Sequence, residues 1–258
     1  MSSRRPAVLR LALALLILGG CAPGSDRAAP GGAVTGRVTV FAAASLTEPF
    51  NQLGERFRED HPAADLAFNF GASSGLAAQI IEQGGADVFA SADRPNMRKV
   101  AERGLVDGEP DIFAGNRLEI IVSPGNPEGV TGLSDLGRPE LKVVLAASAV
   151  PVGRYAREAL SRAGVAVDPV SEAVDAKGVV GPVTLGEADA GIVYASDVKA
   201  AAPAAAGVEI PQEHNVAAEY PIARLAGAPN PRAARAFIDL VLSPEGRRVL
   251  EDRGFVAP

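Results

Sequence analysis

The chain has 258 residues, 25 Lys and Arg against 31 Asp and Glu, and a net charge of −6 at pH 7. With 47% hydrophobic and 5% aromatic residues it is a globular chain long enough for a sizeable core, which excludes a disordered one. One Cys, two His and no Trp exclude an intrachain disulfide and argue against a Cys/His metal centre, while the acidic balance argues against nucleic acid as a partner.

Arg4, Arg5 and Arg10 precede an unbroken apolar run, Leu11 to Leu18, and then Gly19, Gly20 and Cys21. The run is shorter than the roughly 20 apolar residues of a membrane span, so residues 1–20 read as an export signal. Cys21 leaves two readings. It is a buried, inert thiol, or, because Leu-Gly-Gly-Cys resembles the lipobox of bacterial lipoproteins, it is lipidated and begins the mature chain. The second predicts a cell-membrane lipoprotein facing the periplasm or the extracellular side, tethered through the Ala, Pro, Gly and Ser of residues 22–36. Residues 1–20 carry three Arg and no acid, so 22 basic residues then face 31 acidic ones, a balance of −9.

From Arg37 onward β-rich runs alternate with helical ones. Strands are predicted at 37–42, 64–70, 87–90, 118–123, 142–147, 190–194 and 220–225. Helices are predicted at 46–60, 76–83, 96–103, 154–163, 231–242 and 244–253, the last two with Pro near the first turn. This alternation predicts an α/β fold with mostly parallel sheets flanked by helices. The length suits two lobes with a cleft between them. In such sheets ligands sit beyond the carboxyl ends of the strands, at the helix starts that follow.

Two of those turns carry serine among small residues: Ala42-Ala43-Ala44-Ser45-Leu46 and Gly71-Ala72-Ser73-Ser74-Gly75. Three readings are open. Ser45 with Glu48 fits a capping box, and Ser73 or Ser74 an ordinary N-cap. Two helix starts with exposed N–H groups and hydroxyls also make a site for an oxyanion. Gly71-x-Ser73-x-Gly75 further matches a nucleophile elbow; a secreted serine hydrolase built on Ser73 would need His214, the only His after it, which lies in a polar stretch.

Beyond these serines, Ala86-Asp87-Val88-Phe89 with Ser91-Ala92-Asp93, Val150-Pro151-Val152-Gly153, and Gly191-Ile192-Val193-Tyr194 with Ser196-Asp197 follow in order. Together the five motifs resemble the molybdate-binding receptors of bacterial molybdate ABC importers, over essentially all of residues 37–256. The resemblance implies a two-lobed type II periplasmic-binding-protein fold with ligand in the interlobe cleft. It implies lobe one at 37–117 and 218–258 and lobe two at 118–217. It also implies an oxyanion held by Ser45 and Ser73 through hydroxyl and N–H, by Val152 and Ala176 through backbone N–H, and by the Tyr194 hydroxyl. No residue would ligate the metal directly. The function implied is a monomeric, non-enzymatic receptor without cofactor that captures molybdate, and tungstate, and delivers it to membrane permease subunits. Arg154 and Lys177, beside the site in sequence, add positive field or are solvated surface charge.

The chemistry is consistent with that implication. Molybdate is a dianion with four acceptor oxygens and no proton to give, so a donor-only site suits it, whereas phosphate keeps a proton that such a site leaves unpaired. Sulfate, of equal charge and shape but smaller, is the alternative ligand that cavity size must exclude.

Overall fold

Strand β1 (Gly36–Ala43) buries Val38, Val40 and Ala42 on one face and Phe41 and Ala43 on the other, as a central strand covered on both sides must. The computed structural model describes residues 33–258; the export signal at 1–20 and Cys21 lie outside them. After β1 come a 3₁₀ turn (Ala44–Leu46), α1 (Thr47–Asp60), β2 (Ala64–Gly71), α2 (Ser73–Gln83), β3 (Val88–Ala90), α3 (Arg94–Ala101) and β4 (Asp111–Asn116). The chain continues through β5 (Leu118–Val122), a 3₁₀ turn (Leu133–Gly137), β6 (Val143–Ala146), α4 (Pro151–Ala163), β7 (Ser171–Ala173), α5 (Ala176–Thr184), β8 (Ala190–Tyr194), α6 (Ala195–Ala201) and β9 (Ala206–Glu209). It ends with β10 (Ala218–Arg224), α7 (Pro231–Leu242) and α8 (Pro244–Glu251).

These strands form two five-stranded sheets, ordered β2-β1-β3-β10-β4 and β7-β6-β8-β5-β9. In the first, β1 pairs parallel with β2 and β3, and only β10 runs against its neighbours. In the second, β6 pairs parallel with β7 and β8, and only β5 runs against its neighbours. The reversed strand holds the same place in both orders. Each is the strand with which the chain enters its sheet from the other one. Arg117 alone separates β4 from β5, and the return runs from β9 to β10. Asn215 ties the two crossings: its Oδ1 accepts from Leu118 N and its Nδ2 donates to Leu118 O, both at 2.9 Å.

Helix faces follow the apolar spacing. Phe50, Leu53 and Phe57 put one stripe of α1 into the core, where Phe50 and Phe57 meet Phe237 of α7 edge-on at 5.5 and 5.8 Å. Among the described residues no helix is long and apolar enough to cross a membrane.

Several elements escape the sequence pattern. Strand β4 carries Gly115 and follows Pro110; β7 and β9 are only three and four residues long. Helix α5 holds Gly178, Gly181 and Pro182, residues that weaken a helical signal, and α6 spans seven residues. Helix α2 starts at Ser73, three residues before the predicted start.

Gly153 seats α4 on its sheet. A Cβ there would overlap the carbonyl oxygens of Ala146 and Ala147 at the end of β6. Gly153→Ala is expected to lower stability by about 2–4 kcal/mol, as overpacking against rigid backbone does, measured by urea unfolding.

Candidate functional site

Five helix starts face one another where the two sheets meet. Ala43, Ala44 and Ser45 end β1 and enter α1; Gly71, Ala72 and Ser73 link β2 to α2; Val150, Pro151 and Val152 open α4; Asp175 and Ala176 open α5; Tyr194 precedes α6. With Ala92, these residues line one small cavity. The structure therefore brings together all five residues singled out in sequence: Ser45, Ser73, Val152, Ala176 and Tyr194. His214 is not among the lining residues.

The backbone donors follow from helix geometry. The first amides of a helix have no carbonyl of their own helix to bond. The 3₁₀ turn ahead of α1, and helices α2 and α4, start at the N-caps Ala43, Ala72 and Val150, none of which caps with its side chain. Pro151 at the first position of α4 has no N–H, so Val152 is the first donor that helix offers. Ala176 opens α5, where the Asp175 carboxylate turns back to accept from Gly178 N at 2.9 Å. That bond makes Asp175, the one carboxylate in the lining, a helix cap.

The capping readings of the serines are corrected here. Ser45 sits in the 3₁₀ turn before α1, and Glu48 reaches away to Lys177 Nζ, which donates to its Oε1 and Oε2 at 2.9 and 3.0 Å. Ser73 is the first residue of α2 and not its cap. Its Oγ accepts from Ala92 N at 2.9 Å. A backbone N–H can only donate, so the Ser73 proton stays free for the cavity.

Tyr194 gives the clearest sign of a ligand. It is 2% exposed, and among the described residues its hydroxyl has no hydrogen-bond partner. Burial pushes its pKa well above the usual phenol value, so it stays protonated and serves as a donor. A buried polar group without a partner is costly and needs a reason. Here the cavity supplies it, since an acceptor bound there would satisfy the hydroxyl.

The cations beside the cavity are paired with carboxylates of the opposite lobe. Arg154 of α4 donates to Asp93, the N-cap of α3, at 2.8 Å, and Lys177 of α5 holds Glu48 of α1. Lys177 also stands 3.7 Å from Asp197 of α6. Both cations are partly exposed, and neither is left over to meet an anion alone. Sequence reasoning gave no role to Ala92 and Asp197, though both stand in the motifs quoted above, and missed Tyr220, whose hydroxyl meets Ser45 Oγ at 2.9 Å. Only their place in the fold gives them a role.

The match to known proteins accords with this geometry. Residues 38–256 match the family model described as bacterial extracellular solute-binding protein. The chain belongs to that family. It is 39% identical to the molybdate-binding protein of Mycobacterium tuberculosis over 252 residues, covering 96% of this chain and 97% of the relative. It is 30% identical to the molybdate-binding protein of Haemophilus influenzae, covering 87% and 92%. The periplasmic molybdate-binding protein of Azotobacter vinelandii superposes with a TM-score of 0.74 at 20% identity, over 86% of this chain and 99% of that one. The sulfate-binding protein of M. tuberculosis superposes with a TM-score of 0.76 at 18% identity, over 85% and 86%. The fold of this solute-binding protein is thus the two-lobed type II periplasmic-binding-protein fold, with the cavity in its cleft. Members of an extracellular solute-binding family are exported receptors and not enzymes, which closes the hydrolase reading of Ser73.

Asp197 makes the stability of this solute-binding protein depend on pH. Burial raises its carboxyl from 3.8 to about 6, partly offset by Lys177. Between those values the folded chain holds a proton that the unfolded chain has lost, so stability falls as pH rises through the window. Asp197→Asn is expected to flatten that slope. The variant should gain on the order of 2 kcal/mol over the parent above the window, with the gap closing below it, measured by thermal melts across pH.

Proposed function

We propose that this protein captures molybdate, and tungstate with it, outside the cytoplasm and delivers it to the permease subunits of an ABC importer. The observation that carries the reading is the buried Tyr194 hydroxyl, without an acceptor among the described residues, beside uncapped helix starts and two serines. Ser45, Ser73 and Tyr194 give hydroxyls, and Val152 and Ala176 give backbone N–H groups. The single lining carboxylate is already a helix cap, so the cavity asks for a ligand that only accepts. The relatives named as molybdate-binding support that anion.

In this reading residues 37–117 with 218–258, and 118–217, are the two moving bodies, and the anion bridges them. A ligand drives such a closure only through contacts better made in the closed state. The five donors come from both bodies, so each is fully engaged only when the cleft shuts. The receptor is monomeric and needs no cofactor. Residues 1–20 are its export signal, and lipid on Cys21 holds it at the membrane surface. Sulfate is the second reading, favoured by the superposition on a sulfate-binding protein.

A thermal-shift panel separates these. At a hundredfold excess over Kd a ligand adds about 2.7 kcal/mol, which for a chain of this size raises Tm by roughly 5–10 °C. Molybdate and tungstate should give that shift at micromolar concentrations, with sulfate and phosphate far behind; a shift with sulfate alone would select the second reading. Tyr194→Phe, Ser45→Ala and Ser73→Ala should each weaken molybdate binding by ~1–3 kcal/mol, as lost partners of a buried anion do. Lys177→Met should weaken it only about two- to fivefold, since half-exposed ion pairs contribute little. That loss should shrink in concentrated sodium chloride, which screens the Glu48–Lys177 pair.

A further inference from the structure

We infer that Tyr220 is a positioning residue that fixes Ser45 as a donor to the cavity, and so sets the site against anions that carry a proton. The inference rests on the oxyanion reading above and names the residue that gives the site its selectivity.

Tyr220 lies in β10, fully buried, outside the cavity lining. Its ring packs edge-on against Tyr194 at 5.8 Å, Phe113 at 6.3 Å and Phe255 at 5.3 Å. Its hydroxyl meets Ser45 Oγ at 2.9 Å, and the side chains of Asn116 and Tyr194 also stand beside it. Among the described residues Ser45 Oγ has that bond alone, and it is 3% exposed. Two hydroxyls share one bond, so one proton lies in it and the other points elsewhere. Were Ser45 the donor, its proton would be spent on Tyr220 and only its oxygen would face an anion that can only accept. With Tyr220 as donor, the free proton belongs to Ser45, which lines the cavity. Burial also holds the Tyr220 pKa above the ordinary phenol value, which keeps the proton in place.

The same logic operates at the other serine, where Ala92 N–H occupies the Ser73 oxygen. Each serine is thus held from behind by a donor and presents its own proton forward. At Ser73 the donor is a backbone N–H. At Ser45 it is one side-chain atom. A hydrogen phosphate needs an acceptor for its proton; Ser45 could offer one only if Tyr220 released its oxygen.

Tyr220→Phe removes that single atom and keeps the ring. Calorimetric titration of the full chain with molybdate and with inorganic phosphate, at about pH 8 and about pH 6, tests the inference. The expected result is a roughly tenfold weaker molybdate affinity and a larger fall in the molybdate-to-phosphate ratio, greatest at the lower pH, where phosphate carries a second proton. In a Ser45→Ala background, Tyr220→Phe should change neither affinity. On the parent chain, phosphate affinity should fall from the higher pH to the lower. Equal weakening of both anions by Tyr220→Phe, a full effect in the Ser45→Ala background, or parent phosphate affinity that rises toward acid would each overturn the role of Tyr220. A parent chain that binds neither molybdate nor tungstate would overturn the oxyanion reading itself, and the inference with it.

Discussion

Buried donors that the protein does not satisfy are the constraint on which the rest of this structure depends. Among the described residues Tyr194 hides its hydroxyl from water without an acceptor, and the 3₁₀ turn ahead of α1, with α2 and α4, begins without side-chain caps at the same place. A fold accepts such costs where a ligand repays them. The arrangement also accounts for the surroundings. The Asp175 carboxylate is turned into its own helix, and Glu48 and Asp93 are held by Lys177 and Arg154, so among the described residues these carboxylates present no unpaired charge to the cleft.

An acidic chain can bind an anion on these terms. Net charge describes the far field over the surface, while a ligand in a narrow cleft feels the nearest dipoles. Helix starts supply those dipoles without a net charge, and the neighbouring cations are already neutralised. Attraction therefore comes from short-range hydrogen bonds that demand the right shape.

Much of this was legible in the sequence, and the limits have physical causes. Small residues around Ser45 and Ser73 mark turns where backbone must stay open, and their order along the chain resembles one receptor family. The main strands and helices show through their apolar spacing, because Val38, Val40 and Phe50 are chosen by burial. Helix α5 was invisible because Gly178, Gly181 and Pro182 speak against a helix that packing against β8 nonetheless enforces. Val152 and Ala176 could be named only through the resemblance, since a backbone N–H leaves no mark on residue type. Tyr220 was unreadable for a different reason: its partner is 175 positions away. The capping box at Ser45 and Glu48 failed because Ser45 lies within a 3₁₀ turn and meets Tyr220, while Glu48 accepts from Lys177 of the other lobe.

The shared strand order of the two sheets bears on how the chain assembles. All five strands of the second sheet lie in one continuous stretch, Leu118 to Glu209, whereas the first sheet begins at Gly36 and is complete only when β10 arrives. In first-sheet order β10 joins β3 to β4, so until it is present those two have nothing between them. The part of the chain that emerges first is therefore the last to close. Such long-range closure slows folding, and an exported chain gains time from it: half of its architecture stays open until nearly the whole sequence is available.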